Sequence, residues 1–276
     1  MCGTLPHSSI VAGAVDSLRK HGCALVKLSK HQARAIWRVH RCASRFFALP
    51  ASRKESAREL CILPAIGPAP VISGHWKPSD AKELLRIFDS CPRSLPLALR
   101  KCIAEARGIL DDVLVCCLIA CLKSAGCPIS RRSLRYLCRG ACPLDCFYYH
   151  NRPGSVRVPC TPHCDRGLLH AIVASPVPGL ELFDRQRGEW HSVQELWPSL
   201  EPLSHVIILA NDALAELSHT QPGWCGGQIE ACVHRVVRAD SVPRLSISYE
   251  LRPSAVAVDP FRPSLSGRSR WPHCAQ

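Results

Sequence analysis

Beyond Leu144 the chain is cut into short apolar runs separated by turn residues, and this pattern most narrows the folds open to it. Arg244-Leu245-Ser246-Ile247-Ser248-Tyr249 alternates polar and apolar, the period-two signature of a half-buried strand. Arg244, Ser246 and Ser248 then share one face, and Leu245, Ile247 and Tyr249 the other. A succession of such strands predicts a double-sheet jelly roll. The class expected is mainly β with helical support: a double-stranded β-helix (jelly roll) core preceded by an N-terminal α/β region.

His163-Cys164-Asp165 falls inside this segment, with His234 far downstream and Arg244-Leu245-Ser246 ten residues beyond it. On a strand, residues two apart point the same way, so His163 and Asp165 can reach one ion while Cys164 points away. His234 must then arrive from a distant part of the fold, which suits a barrel-like double sheet. Two imidazoles and one carboxylate hold a non-haem Fe(II) on one face and leave its other positions open. A guanidinium with a hydroxyl two residues along can grip the far carboxylate of an acid that chelates that iron. Taken alone, His-x-Asp is a weak signal in a chain with 13 histidines. His219 is a rival for the third ligand.

Chain order and spacing resemble the 2-oxoglutarate- and Fe(II)-dependent dioxygenases, in particular the isopenicillin N synthase-like branch. The stretch from Leu169 through Pro178-Gly179-Leu180-Glu181-Leu182 resembles that family's strand, turn and strand after the first ligands. Gly188-Glu189-Trp190-His191-Ser192-Val193 resembles its next hairpin, and residues 206–214 its buried strand and turn before the second histidine. Leu18 to Val26 and Phe46-Phe47-Ala48-Leu49-Pro50 resemble its N-terminal region, so the likeness covers most of residues 9–253. The resemblance implies iron held by His163, Asp165 and His234, and 2-oxoglutarate held by Arg244 and Ser246. It also implies a tyrosine on the co-substrate: Tyr149 is the choice, with Tyr148 close behind. O2 is the oxidant, with ascorbate as an optional auxiliary. Three departures stand out. The gap from His163 to His234 is long, with a turn-rich insertion at residues 220–227. The family's covering C-terminal helix has no counterpart in the Pro-, Ser- and Arg-rich end. Cys164 stands where threonine is common.

Length suits one compact catalytic unit. The regions expected are 1–140, helical and mixed; 141–253, the Fe(II)/2-oxoglutarate jelly roll; and 254–276, a flexible tail. Ser8-Ser9 caps a first helix that Gly22 ends, and residues 23–28 read as a strand. Ser29-Lys30-His31-Gln32 has the form of a capping box, followed by an apolar stripe at Ile36, Val39, Ala43 and Phe46. Residues 62–80 read as loop with short extended pieces. Residues 95–125 form the best long helix, with a bend at Gly108 foreseen.

The 18 cysteines show no Cys-x-x-Cys pair and no secretory signal, which predicts reduced thiols and a cytoplasmic or nuclear chain. The longest apolar run, residues 113–122, is too short to cross a bilayer. The net charge of +13 is spread along the chain rather than interleaved with aromatics, which disfavours nucleic acid as a partner. The expected function is oxidation, by default hydroxylation, of a small organic substrate, with release of succinate and CO2. Three rivals remain: an iron oxidase of this fold that does not use 2-oxoglutarate, a nucleic-acid demethylase, and a catalytically silent binding protein.

Overall fold

A computed structural model describes residues 8–89, 91–225, 227–238 and 242–254. The N-terminal part contributes helix α1 (Ser8–His21), strand β1 (Cys23–Lys27), helices α2 (Lys30–Phe47) and α3 (Ala51–Glu55), strands β2 (Arg58–Ile62), β3 (Pro70–Ser79) and β4 (Lys82–Ile87), and helices α4 (Leu97–Ser124) and α5 (Arg131–Leu137). There follow β5 (Leu144–Tyr149), β6 (Cys160–His163), β7 (Leu169–Val173), β8 (Leu180–Asp184), β9 (Glu189–Ser192), α6 (Val193–Leu196), β10 (His205–Ala210), α7 (Asp212–Thr220), β11 (His234–Val236) and β12 (Arg244–Leu251).

Two antiparallel sheets result. The large one runs β1-β10-β7-β12-β5-β4-β3-β2, and the small one β6-β11-β8-β9. This is the expected jelly-roll core with helices on its outer side. Because β1 pairs with β10 and β4 with β5, strands from before and after residue 140 share one sheet.

Period-two patterning explains the layering. On β10, Val206, Ile208 and Ala210 join the core beneath the helices, while Ile207 and Leu209 join the core between the sheets. On β12, Leu245, Ile247, Tyr249 and Leu251 face the helices, so Arg244, Ser246, Ser248 and Glu250 are turned into the double sheet. All four are buried, and four polar side chains in a row cannot be there for packing. Helix α4 lies across the outside, against β7 and β12, and runs unbroken through Gly108. The capping box at Ser29 forms as expected, with Gln32 N–H on its hydroxyl and the Gln32 side chain on its backbone.

Two expectations need correction. Residues 62–80 are not mainly loop: β3 is a ten-residue strand paired on both sides, with Pro70 at its first position and a register break between Trp76 and Ser79 that accommodates Pro78. And the turn expected at the end of residues 206–214 is the start of a helix: Asp212 opens α7, which runs to Thr220. Of the expected tail only Ser254 lies within the described residues. Among those residues no helix is long and apolar enough to cross a membrane.

Candidate active site

Pairing of β6 with β11 sets His163 directly opposite His234. Their ring centroids lie 4.3 Å apart. Strand β6 ends at His163, so Asp165 sits on the loop beyond it rather than on the strand expected for both. That loop is pinned from several sides. The N–H groups of Asp212 and Ala213, at the start of α7, donate to the Asp165 and Gly167 carbonyls at 2.9 and 3.1 Å. The Gly167 N–H donates to Glu250 Oε1 at 2.7 Å, and a Cβ at Gly167 would stand 2.7 Å from that same oxygen. Only glycine lets the loop come so close.

His163, Asp165 and His234 offer ligand atoms that all lie within 4.8 Å of one another. His163 Nε2 is 3.7 Å from Asp165 Oδ1, and His234 Nε2 is 3.5 Å from Asp165 Oδ2. Each imidazole donates its Nδ1–H to a carbonyl two residues back, Thr161 at 2.8 Å and Cys232 at 3.2 Å. In the neutral ring that bond selects the tautomer with its lone pair on Nε2, as metal ligation requires. The donor set therefore fits a divalent iron. His219, the rival, lies at the end of α7 beside Glu230, apart from the cluster.

Electrostatics bind the group together. Burial alone would raise Asp165, but the imidazoles of His170, His234 and His163 hold it well below the usual carboxylate range. Burial would lower His163, but the Cys160 sulfur and the Asp165 carboxylate outweigh it and raise the imidazole to about 9. At His234 burial wins, helped by the two neighbouring imidazoles, and the group falls to about 4.

His170 was not anticipated from the sequence. It is buried on β7, and its Nδ1 hydrogen-bonds Asp165 Oδ2 at 2.5 Å. The only available signal was one polar residue inside the otherwise apolar run Leu169-His170-Ala171-Ile172-Val173. Glu250 and Asn211, which brace the loop from behind, carried no signal at all.

At the far end of β12, Arg244 is 2% exposed. Its Nε donates to the Val177 carbonyl at 3.2 Å, but Nη1 has no partner, and none of the described ion pairs includes it. Burial lowers its affinity for a proton. A buried guanidinium with no counter-charge is costly, so the site is built to receive an anion. Ser246 is buried on the same face. Tyr149 is paired opposite Arg244, with the guanidinium 5.6 Å from its ring centre. Tyr148 faces the other way and stacks on Phe47 at 5.0 Å, in the helix-side core. Of the two tyrosines, only Tyr149 looks into the site.

Comparison with known proteins gives a consistent picture. Residues 135–253 match the family model described as the 2OG-Fe(II) oxygenase superfamily. The mugineic-acid 3-dioxygenase of Hordeum vulgare is 23% identical over 179 residues, which are 64% of this chain but only 43% of that enzyme. The chain thus spans less than half the length of that curated relative. Among solved structures, the rice dioxygenase for auxin oxidation superposes with a TM-score of 0.67 at 20% identity, covering 89% of this chain and 78% of the other. The Arabidopsis thaliana dioxygenase for auxin oxidation 1, solved with 2-oxoglutarate, gives 0.65 at 16% identity, covering 91% and 90%. At these identities the likeness is one of fold.

Proposed function

We propose that the chain, which matches the 2OG-Fe(II) oxygenase superfamily through residues 135–253, works as a member of it and oxidises a small organic substrate with O2 and 2-oxoglutarate, hydroxylation being the default outcome. His163, Asp165 and His234 hold the iron in this reading. Arg244, Ser246 and Tyr149 receive the co-substrate. The observation that carries the proposal is a three-donor cluster facing the same interior as a buried, unpaired arginine. Iron and 2-oxoglutarate, when bound, would supply O2 activation, with one oxygen atom going to the substrate and the other into the succinate formed as the keto acid loses CO2.

The protein's own residues prepare that chemistry. The carbonyls of Thr161 and Cys232 hold both imidazoles in the ligating tautomer, and His170 fixes the plane of Asp165. Arg244, with Nη1 free, takes the distal carboxylate of the co-substrate and leaves its keto-acid end for the metal. Leu180, Leu182 and Val236 wall the space between the sheets and exclude water from the reacting end.

The test is anaerobic titration of 2-oxoglutarate into the Fe(II)-loaded protein, following the metal-to-ligand charge-transfer band. Arg244→Ala is expected to weaken 2-oxoglutarate binding roughly ten- to hundredfold while iron stays bound, and Arg244→Lys to recover only part of the loss. His163→Ala and Asp165→Ala are expected to lose the metal. No band in the wild type would overturn the co-substrate assignment and leave an iron oxidase independent of 2-oxoglutarate as the reading to pursue. Succinate release with a metabolite library then identifies the substrate.

A further inference from the structure

The inner face of the large sheet extends beyond the cover of the small one. Strand pairing carries that face from Ser248 on β12 across Asp145 on β5 and Arg86 on β4 to Gly74 on β3, with Ile72 and Trp76 two residues to either side. Among the described residues none from β2, β3 or β4 joins the apolar cluster between the sheets. Here the face opens into a cavity of about 280 Å³ bordered by Ile72, Trp76, Arg86, Phe88 and Arg252. We infer that this cavity is the substrate pocket of the site and that it takes a small molecule with an apolar ring or hydrocarbon body and a carboxylate group. The inference rests on the oxygenase reading above.

Position is the first argument. Arg86 holds Asp145 through Nε and Nη2, at 2.8 and 2.6 Å, and Arg252 Nη2 bonds Glu250. Glu250 is paired opposite His170, and His170 bonds Asp165. One layer of carboxylates thus has the proposed metal ligand on its near side and the cavity on its far side. The cavity is therefore linked to the proposed metal ligand through Arg252, Glu250, His170 and Asp165, and its lining includes none of Arg244, His163 and His234.

Chemistry is the second argument. Trp76, Ile72 and Phe88 supply an apolar wall, and a cavity of this volume is at the small end of sites for small molecules. Two guanidinium groups border it, Arg86 held in plane by two bonds to Asp145 and Arg252 held by one bond to Glu250. Neither has all its donors occupied. Arg86 spends Nε and Nη2 on Asp145, and the buried Arg252 Nε has no partner. Glu250 also accepts from the Gly167 N–H and, at 3.5 Å, from Asn211, so Arg252 is not its sole source of compensation. Preoriented arginines with unused donors beside an aromatic wall select a planar anion, and a carboxylate matches the fork of a guanidinium.

The experiment measures binding rather than turnover. Benzoate, cyclohexanecarboxylate and their neutral carboxamides are titrated into the full chain by ligand-observed NMR, with and without saturating 2-oxoglutarate. The carboxylates are expected to bind at least tenfold tighter than the carboxamides, and 2-oxoglutarate is expected not to displace them. Arg252→Gln should erase that preference. Ile72→Glu, which sets a negative charge on the wall without touching an ion pair, should weaken the carboxylates and spare the carboxamides. Thermal melts of both variants check that the fold persists. The pocket assignment is overturned if no probe binds, if carboxamides bind as tightly, if Arg252→Gln behaves as wild type, or if 2-oxoglutarate competes. A missing charge-transfer band in the wild type would instead sink the oxygenase reading, and the carboxylate preference would still stand or fall on its own titration.

Discussion

At the scale of the residue, the site depends on imidazoles in different protonation states. With no metal present, His163 holds a proton up to about pH 9 and His234 loses its own above about pH 4. The sign follows directly. A raised folded-state value means that the proton competes with the ion, so affinity for a divalent metal rises with pH and levels off above about 9. Binding near neutrality should release about one proton, measurable by calorimetry in buffers of different ionisation enthalpy. The same shift stabilises the metal-free fold fully below the ordinary histidine range, and that stabilisation is lost as pH rises through about 9. His170 supplies a second test. Its described side-chain hydrogen bond is to the carboxylate, and its ring lies edge-on to His234 at 6.2 Å, so it acts by holding Asp165 in place. His170→Ala is expected to weaken Co(II) binding roughly ten- to hundredfold, read from the ligand-field absorbance, without removing any ligand. Wild-type affinity in that variant would remove His170 from the site.

At the scale of the element, the capping box of α2 and the alternation of β12 are local, and both could be read directly. The strand β3 could not. Its prolines and Gly74 argue for loop, and only the partners on either side make it a strand. Gly74 shows the tertiary constraint. Its φ is +92°, and a Cβ there would fall 1.7 Å from the Ala57 carbonyl oxygen, whose partner is the His75 N–H. Gly74→Ala is expected to cost more than about 1 kcal/mol in urea unfolding and to leave metal binding intact, because it disturbs the outer edge of the sheet rather than the loop around Asp165. Helix α7 makes the same point. Its first N–H groups are spent on the Asp165 and Gly167 carbonyls, so the helix and the site loop form together.

At the scale of the whole molecule, the large sheet is one continuous object to which both halves of the chain contribute. The cysteines serve that packing: Cys117, Cys121 and Cys146 are buried as small hydrophobes, and burial drives the Cys117 and Cys121 thiols up to about 12. No disulfide joins the described cysteines, and Cys42 and Cys102 keep their sulfurs 3.7 Å apart. Thiol counting in denaturant without reductant should therefore approach the 18 in the sequence. A count near zero would contradict the packing seen here. The sequence by itself determined the double-sheet class, the pairing of His163 with Asp165, the ten-residue step from His234 to Arg244, and the polar face of β12. These are periodic or short-range patterns, written in residue types at fixed spacing. Tertiary structure alone decided the rest. It set His234 rather than His219 across from His163, turned Tyr149 inward and Tyr148 outward, enlisted His170, Glu250 and Asn211, and placed Arg86 and Arg252 on one cavity. The physical reason is that these choices depend on which strand lies beside which, and strand order comes from burying both faces of the large sheet at once, a condition that no local stretch of the chain contains.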